Sequence, residues 1–240
     1  MGLKNTSPSS TQSWADYYTT QAKHCQDPTL QRFYATGLVS PDTPIGEVPL
    51  MALDFETTGM NAAKHDIVSI GMVPFTLQRI RPAQGHYWVV KPRRSLREES
   101  IVHHRITHSE IEHAPDLETV LDEVLDRLAG HLVVVHYRNI ERNFLDGAIF
   151  ARRGEHCLFP VIDTMVIEAR FERGQRFQTL KRLFGIAPPS IRLAASRERY
   201  GLPPYSTHHA KVDALATAEL LQAQIARHYS PQTPVSELWA

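Results

Sequence analysis

Asp54 and Glu56 stand two residues apart in Asp54-Phe55-Glu56-Thr57-Thr58-Gly59, directly after the apolar run Pro49–Leu53. Such a run reads as a buried strand, and residues two apart on a strand share a face. The two carboxylates therefore project together, and like charges that close raise each other's pKa unless a cation lies between them. Hard oxygen donors at this spacing suit Mg²⁺ or Mn²⁺ and not zinc. Gly59 then lets the backbone turn and approach a ligand closely. Divalent cations held at a strand end beside a tight turn are equipped for phosphate chemistry. An isolated Asp-x-Glu also marks ordinary solvated strand edges, so the rest of the chain decides between the two readings.

Two further acidic positions bear on that decision. His136-Tyr137-Arg138-Asn139-Ile140-Glu141 follows the apolar Leu132–Val135, a strand end passing into a helix start, where ligands of α/β sheets gather. Glu141 falls in the first helical turn, a position the helix dipole favours whatever its role. His208-His209-Ala210-Lys211-Val212-Asp213 opens the last helix. At ~100° per residue, His208 and Asp213 would occupy different faces if both were helical. His208 is therefore expected on the loop before the helix, free to swing over the site, and Asp213 inside the helix, pointing at the sheet. A buried aspartate there is costly unless paired or bound to metal.

The elements that must position these residues are legible as periodicities. Strands are expected at Leu50–Glu56, Asp66–Pro74 and His86–Val90, close enough in sequence for an antiparallel meander, and at Leu132–Val135 and Val161–Ile162. Leu117, Val120, Leu121, Val124, Leu125 and Leu128 mark an amphipathic helix. Further helices are expected from about Ile140 to Arg153, Thr164 to Glu172, Thr179 to Leu183 and Ala210 to Arg227. Residues 1–47 read as a helical extension docked on the main domain. Ser13 and Asp16 form a capping-box start, Asp27-Pro28 a second helix start, and the aromatics Trp14, Tyr17, Tyr18, Phe33 and Tyr34 are too many for a disordered tail. Residues 48–229 are expected to form the main domain and 230–240 a short C-terminal tail.

Taken in order, these segments resemble the DnaQ-like 3′–5′ exonucleases of the Asp-Glu-Asp-Asp-His type, relatives of the polymerase III epsilon subunit within the ribonuclease-H-like superfamily. Asp54-x-Glu56-Thr57-Thr58-Gly59 is similar to the first exonuclease motif, His136–Leu145 to the second and His208-x₄-Asp213 to the third. His104-Arg105-Ile106-Thr107 resembles the family's His-Gly-Ile-Thr segment and Val161–Thr164 its Asp-Thr strand end. The second motif departs from the usual pattern, with Tyr137 in place of Asn and Glu141 in place of Asp. The resemblance implies an α/β fold with a mixed five-stranded sheet flanked by helices. It implies two Mg²⁺ or Mn²⁺ ions held by Asp54, Glu56, Asp213 and Glu141, with His208 as general base. Thr57, Thr58, Gly59, Met60 and His104 would contact the terminal nucleotide, while Asp163 would order a loop or cap the next helix. The expected partner is nucleic acid with a free 3′ end, single-stranded DNA foremost. A proofreading subunit, an exoribonuclease and a non-catalytic nucleic-acid-binding module on the same fold are the alternatives.

Composition sets outer limits. Of 240 residues, 42% are hydrophobic and 22% charged, with a formal net charge of zero. No apolar run approaches the ~20 residues of a membrane span, and the polar Met1–Gln12 lacks a signal-peptide core. Two cysteines, Cys25 and Cys157, form no disulfide framework and point to a reducing, cytoplasmic compartment. Basic residues concentrate locally, seven against two acidic between Arg79 and Arg105, as suits a surface that follows a phosphate backbone. His103, His104, His108 and His113 crowd one segment, but no cysteine or acidic ligand completes a zinc pattern there. They read as solvated histidines, His104 lining the nucleotide pocket.

Overall fold

The computed structural model describes residues 13–94, 106, 108–173 and 188–239. Two helices, α1 (Trp14–His24) and α2 (Pro28–Ala35), precede a sheet of five strands: β1 (Leu50–Thr57), β2 (Ile67–Phe75), β3 (His86–Val89), β4 (Leu132–Val135) and β5 (Val161–Asp163). The order across the sheet is β3-β2-β1-β4-β5. The first three strands form an antiparallel meander, and β4 and β5 add to β1 in parallel. Between and after the strands come α3 (His108–His113), α4 (Glu118–Leu128), α5 (Glu141–Arg153), α6 (Thr164–Arg173), α7 (Leu193–Arg199) and α8 (Ala210–His228). The helix expected at Thr179–Leu183 lies outside the described residues.

β1 is buried on both faces because helices cover both. Met51, Leu53 and Phe55 pack with Val133, Val135 and the aromatics of α1 and α2. Leu50 and Ala52 pack with Val134, Ala214, Ala218 and Leu221 on the α8 side. The alternation continues into Asp54 and Glu56, which therefore fall on the face that carries α8. α8 lies close to the sheet because its buried face is built of small residues, Ala210, Ala214, Thr217 and Ala218. Gly71 marks the tightest approach. It pairs with Asp54 across β1 and β2, and a Cβ placed on it would sit 2.1 Å from the Ala210 carbonyl carbon.

The amino-terminal helices are fastened to the domain. Ser13 caps α1, its hydroxyl accepting from Asp16 N–H at 3.1 Å, and Asp27 caps α2 by accepting from the amides of Thr29 and Leu30. Glu155, just beyond α5, accepts from the amides of Gln26 and Asp27 at 2.8 Å each. Leu30, Phe33 and Tyr34 belong to the main core. At the other end, the tail residues 230–239 pack on the domain. Ile45 N–H donates to Thr233 O, Val235 N–H to Thr43 O, and Trp239 bridges Ile162 on β5. Among the described residues no helix is long and apolar enough to cross a membrane.

Candidate active site

The carboxylates of Asp54, Glu56 and Asp213 offer oxygens that all lie within 4.8 Å of one another. The first two come from one face near the end of β1. The third comes from the first turn of α8, held there by the close approach at Gly71. Glu56 is 7% and Asp213 8% exposed. Burial pushes the Asp54 carboxyl well above its ordinary range, and the charges of Asp213, Glu141 and Glu56 push it further. Asp213 is also raised, by burial first, against the opposing effect of its hydrogen bonds. Three crowded carboxylates, with Asp54 and Asp213 both raised, are what a bound cation would relieve.

Glu141 stands outside that three-way cluster but near enough for its charge to act on Asp54. It is 2% exposed, so its side chain faces inward and not onto a solvated helix surface. Its Oε2 is buried with no hydrogen-bond partner, and burial raises its pKa well above the usual value. A buried carboxylate oxygen with no donor fits a position facing a cation. The donor set is all oxygen, which matches Mg²⁺ or Mn²⁺.

The turn after β1 is internally braced. Thr57 Oγ1 donates to Gly59 O at 2.8 Å, Thr58 Oγ1 accepts from Asp66 N–H, and Thr58 N–H donates to Asp66 O. The two hydroxyls thus shape the loop, and the ring of His65 packs where a Gly59 side chain would be. Met60, 72% exposed, stands out from the turn. His208 sits on the loop before α8 with φ +66°. It is exposed, and the amide of the next residue, His209 N–H, donates to the Asp213 carboxylate at 3.0 Å. His104 lies outside the described residues.

Asp163 has a scaffolding place. Its carboxylate accepts from the amides of Tyr137 and Arg138 at 3.1 and 3.0 Å and from Met165 N–H at 2.9 Å. It thereby caps α6 and pins the turn between β4 and α5, where Tyr137 adopts φ +90°. Asparagine, the family's usual residue at Tyr137, tolerates that region better than tyrosine does, so the Asp163 bonds hold a strained backbone. His136 is tied by Thr164 Oγ1 at 2.8 Å and Ile191 O at 3.1 Å, and burial pushes it down to about 4. It is a neutral strut.

Two residues at the site escaped the sequence reading. Gly71 carried a usable signal, since glycine inside a strand marks close backbone approach. Tyr205, whose hydroxyl is pushed up by burial and then by the nearby charge of Asp213, carried none.

The exonuclease family pattern (RNase_T) matches residues 51–221, spanning all the residues just described. The chain belongs to the exonuclease family. Its relatives include DNA polymerase III PolC-type of Thermotoga maritima, 29% identical over 182 residues, which are 76% of this chain but 12% of that protein. DNA polymerase III subunit epsilon of Treponema pallidum is 24% identical over 75% of this chain and 78% of its own length. The chain thus spans about an eighth of the PolC-type relatives and 78% of the Treponema pallidum epsilon subunit. Among solved structures, the nuclease domain of 3′hExo, a DEDDh family member bound to rAMP, superposes with a TM-score of 0.61 at 17% identity, over 75% of this chain and 92% of that one. Exonuclease X in complex with 5′-overhanging duplex DNA superposes with a TM-score of 0.57 at 20% identity, over 77% and 96%. The mixed five-stranded sheet flanked by helices is the fold of these enzymes, and the exonuclease is of the DnaQ-like 3′–5′ type.

Proposed function

We propose that this exonuclease removes nucleoside monophosphates from the 3′ end of single-stranded DNA with two divalent ions, Mg²⁺ or Mn²⁺. The convergence of Asp54, Glu56 and Asp213 within 4.8 Å carries the reading. Asp54, Glu56 and Asp213 would hold one ion, and Asp54 with Glu141, directly or through water, the second. Bound there, the ions supply positive charge that offsets the charge developing on the phosphate and on the leaving 3′ oxygen. His208 takes the proton from the attacking water, a task to which an imidazole on the loop beside the carboxylates is suited. The Thr57–Gly59 turn and Met60 select a free 3′ end by shape. The two buried thiols, Cys25 and Cys157, fit a reducing, cytoplasmic setting.

A proofreading role beside a polymerase is the second reading, favoured by the coverage of the epsilon subunit. Co-purification with a polymerase would support it.

The test is direct. A 5′-labelled single strand with Mg²⁺ or Mn²⁺ should give a ladder of shortening products. Asp54→Ala and Asp213→Ala should abolish the ladder, and His208→Ala should slow it without loss of metal binding. Full activity in both aspartate variants would refute the site. Equal-sequence single-stranded DNA, duplex DNA and RNA, compared side by side, rank the substrates.

A further inference from the structure

We propose that Trp14 is a positioning residue for Glu141: its ring seats the buried guanidinium of Arg142 and so fixes the first turn of α5. This rests on the reading that Glu141 serves the second ion. Trp14 belongs to the amino-terminal extension and lies outside residues 51–221, which carry the family pattern. Glu141 and Arg142 are neighbours at the start of α5 and point about 100° apart around the helix. The charge of Glu141 acts on Asp54. Arg142 meets α1 instead, its guanidinium carbon 5.3 Å from the centre of the Trp14 ring, within cation–π range. Arg142 is 2% exposed, and a desolvated guanidinium gains more from an aromatic face than one in water does.

The start of α5 needs such a brace. Ile140 occupies the N-cap position, and no side chain caps the helix. The first turn therefore lacks the local bond that serine, aspartate or asparagine would supply. Asp163 pins the preceding turn through the amides of Tyr137 and Arg138, but those bonds end before Glu141. Trp14 is itself held in place. It meets Tyr17 edge-on at 6.0 Å, and Tyr17 meets Tyr34 at 5.8 Å. The Tyr34 hydroxyl accepts from Leu158 N–H at 2.9 Å. A path of three aromatic rings thus runs from the main core to the residue beside Glu141. The extension's other bonds to this region join Arg153 to Asp27 at 3.2 Å and Glu155 to the amides of Gln26 and Asp27. They lie at the far end of α5, roughly three turns away, and leave the first turn to Trp14. Contacts that orient a metal ligand typically act on metal affinity or rate by ~10- to 100-fold when removed.

Trp14→Leu isolates the claim, because it keeps an apolar side chain against the core and removes the aromatic face. Trp14→Phe keeps a smaller face and is the milder variant. Hydrogen exchange without metal should show the Arg142 and Phe144 amides opening faster in Trp14→Leu. On a 5′-labelled single strand, the Mn²⁺ concentration for half-maximal rate should rise by ~10-fold or more. Calorimetric titration with Mn²⁺ alone, without nucleic acid, should leave the tighter ion within about two-fold of wild type. Trp14→Phe should shift exchange and Mn²⁺ dependence the same way by a smaller factor. Glu155→Ala, which loosens the extension at the far end of α5, should keep the wild-type Mn²⁺ dependence. Wild-type Mn²⁺ dependence in both Trp14 variants overturns the proposal, whatever the exchange shows. Equal weakening of the tighter ion also overturns it, by making Trp14 a general support of the fold, as does the same Mn²⁺ shift in Glu155→Ala. If the wild-type protein neither binds Mn²⁺ nor shortens the strand, the functional reading falls and the proposal with it. An effect missing only from the Trp14 variants, against an active wild type, removes the proposal alone.

Discussion

Gly71→Ala is the sharpest perturbation of the site that touches no proposed ligand. Gly71 faces Asp54 across the β1–β2 pair and supports the first turn of α8 on its outer face. The added Cβ would lie 2.1 Å from Ala210 C, 2.2 Å from Lys211 N and 2.3 Å from Ala210 O. Ordinary van der Waals contact begins near 3.4 Å, so the helix start must retreat by about 1 Å. All three atoms are backbone, and no side chain can swing aside. Overpacking of this kind costs roughly 1–3 kcal/mol, and at ~2–4 °C per kcal/mol for a domain of this size the melting temperature should drop by several degrees. The effect on catalysis is larger in proportion, since ~1 Å of misplacement at a reacting centre costs on the order of 10²-fold. Asp213 would move off the Asp54/Glu56 pair, so Mn²⁺ affinity measured by calorimetry should weaken alongside the exonuclease rate. Gly147→Ala is the matched control. It lies in α5, a Cβ there meets nothing within 4 Å, and alanine gains up to ~1 kcal/mol of helix propensity. Wild-type rate and Mn²⁺ affinity in Gly71→Ala would refute the claim that this glycine places α8.

The metal-free protein should be destabilised by its own site. Asp54, Glu141 and Asp213 all have raised pKa values, so the folded state holds protons that the unfolded chain releases above its ordinary carboxylate range. The contribution of these three groups to stability in EDTA is then full below the ordinary carboxylate range and is lost as pH rises through their folded pKa values; melts of Asp54→Asn against the wild type should show a smaller decline over that range. Saturating Mg²⁺ or Mn²⁺ at ~100 times Kd should return about 2.7 kcal/mol, a shift of roughly 5–10 °C that Asp54→Asn loses. Glu155→Ala removes both acceptors that fasten the start of α2 and should cost about 1–2 kcal/mol in the thermal melt, with the exonuclease rate unchanged.

Most of the sheet was legible because its strands are apolar runs bounded by turn residues. β1, β2, β4 and the long helices α4, α5 and α8 fall within a residue or two of where periodicity places them. The two short helices were not legible. α7 buries Ser196 and Arg197 and so shows no apolar stripe, and α3 hides among histidines with Ile111 as its buried residue. For the site, spacing put Asp54 with Glu56 and put Asp213 inside a helix. Spacing alone could not bring α8 over β1, because that contact depends on Gly71, a residue chosen for what it lacks. Nor could it decide between an exposed and a buried Glu141, since the first turn of any helix favours an acid. The loop geometry at Tyr137 was likewise invisible, because tyrosine is not a residue that announces a positive φ.

The edge of the sheet that carries no proposed ligand has a part in the site nonetheless. β2 and β3 contribute neither Asp54, Glu56, Asp213 nor Glu141, yet they fix where α8 begins. Gly71 on β2 admits the helix start. The Tyr87 ring on β3 stacks on His209 at 4.3 Å, and Lys211 Nζ reaches Gly85 O at 2.9 Å. His209 is the residue just before α8, and its neighbour His208 takes the positive φ that turns the chain into the helix. The meander therefore acts on the proposed base and on the third carboxylate together. A shift of β3 would displace both in concert, whereas a shift of the start of α5 would act first on Glu141. Changes at Tyr87 should accordingly impair proton removal and first-ion binding together, and changes at the β4–α5 turn should spare the first ion and act through Glu141.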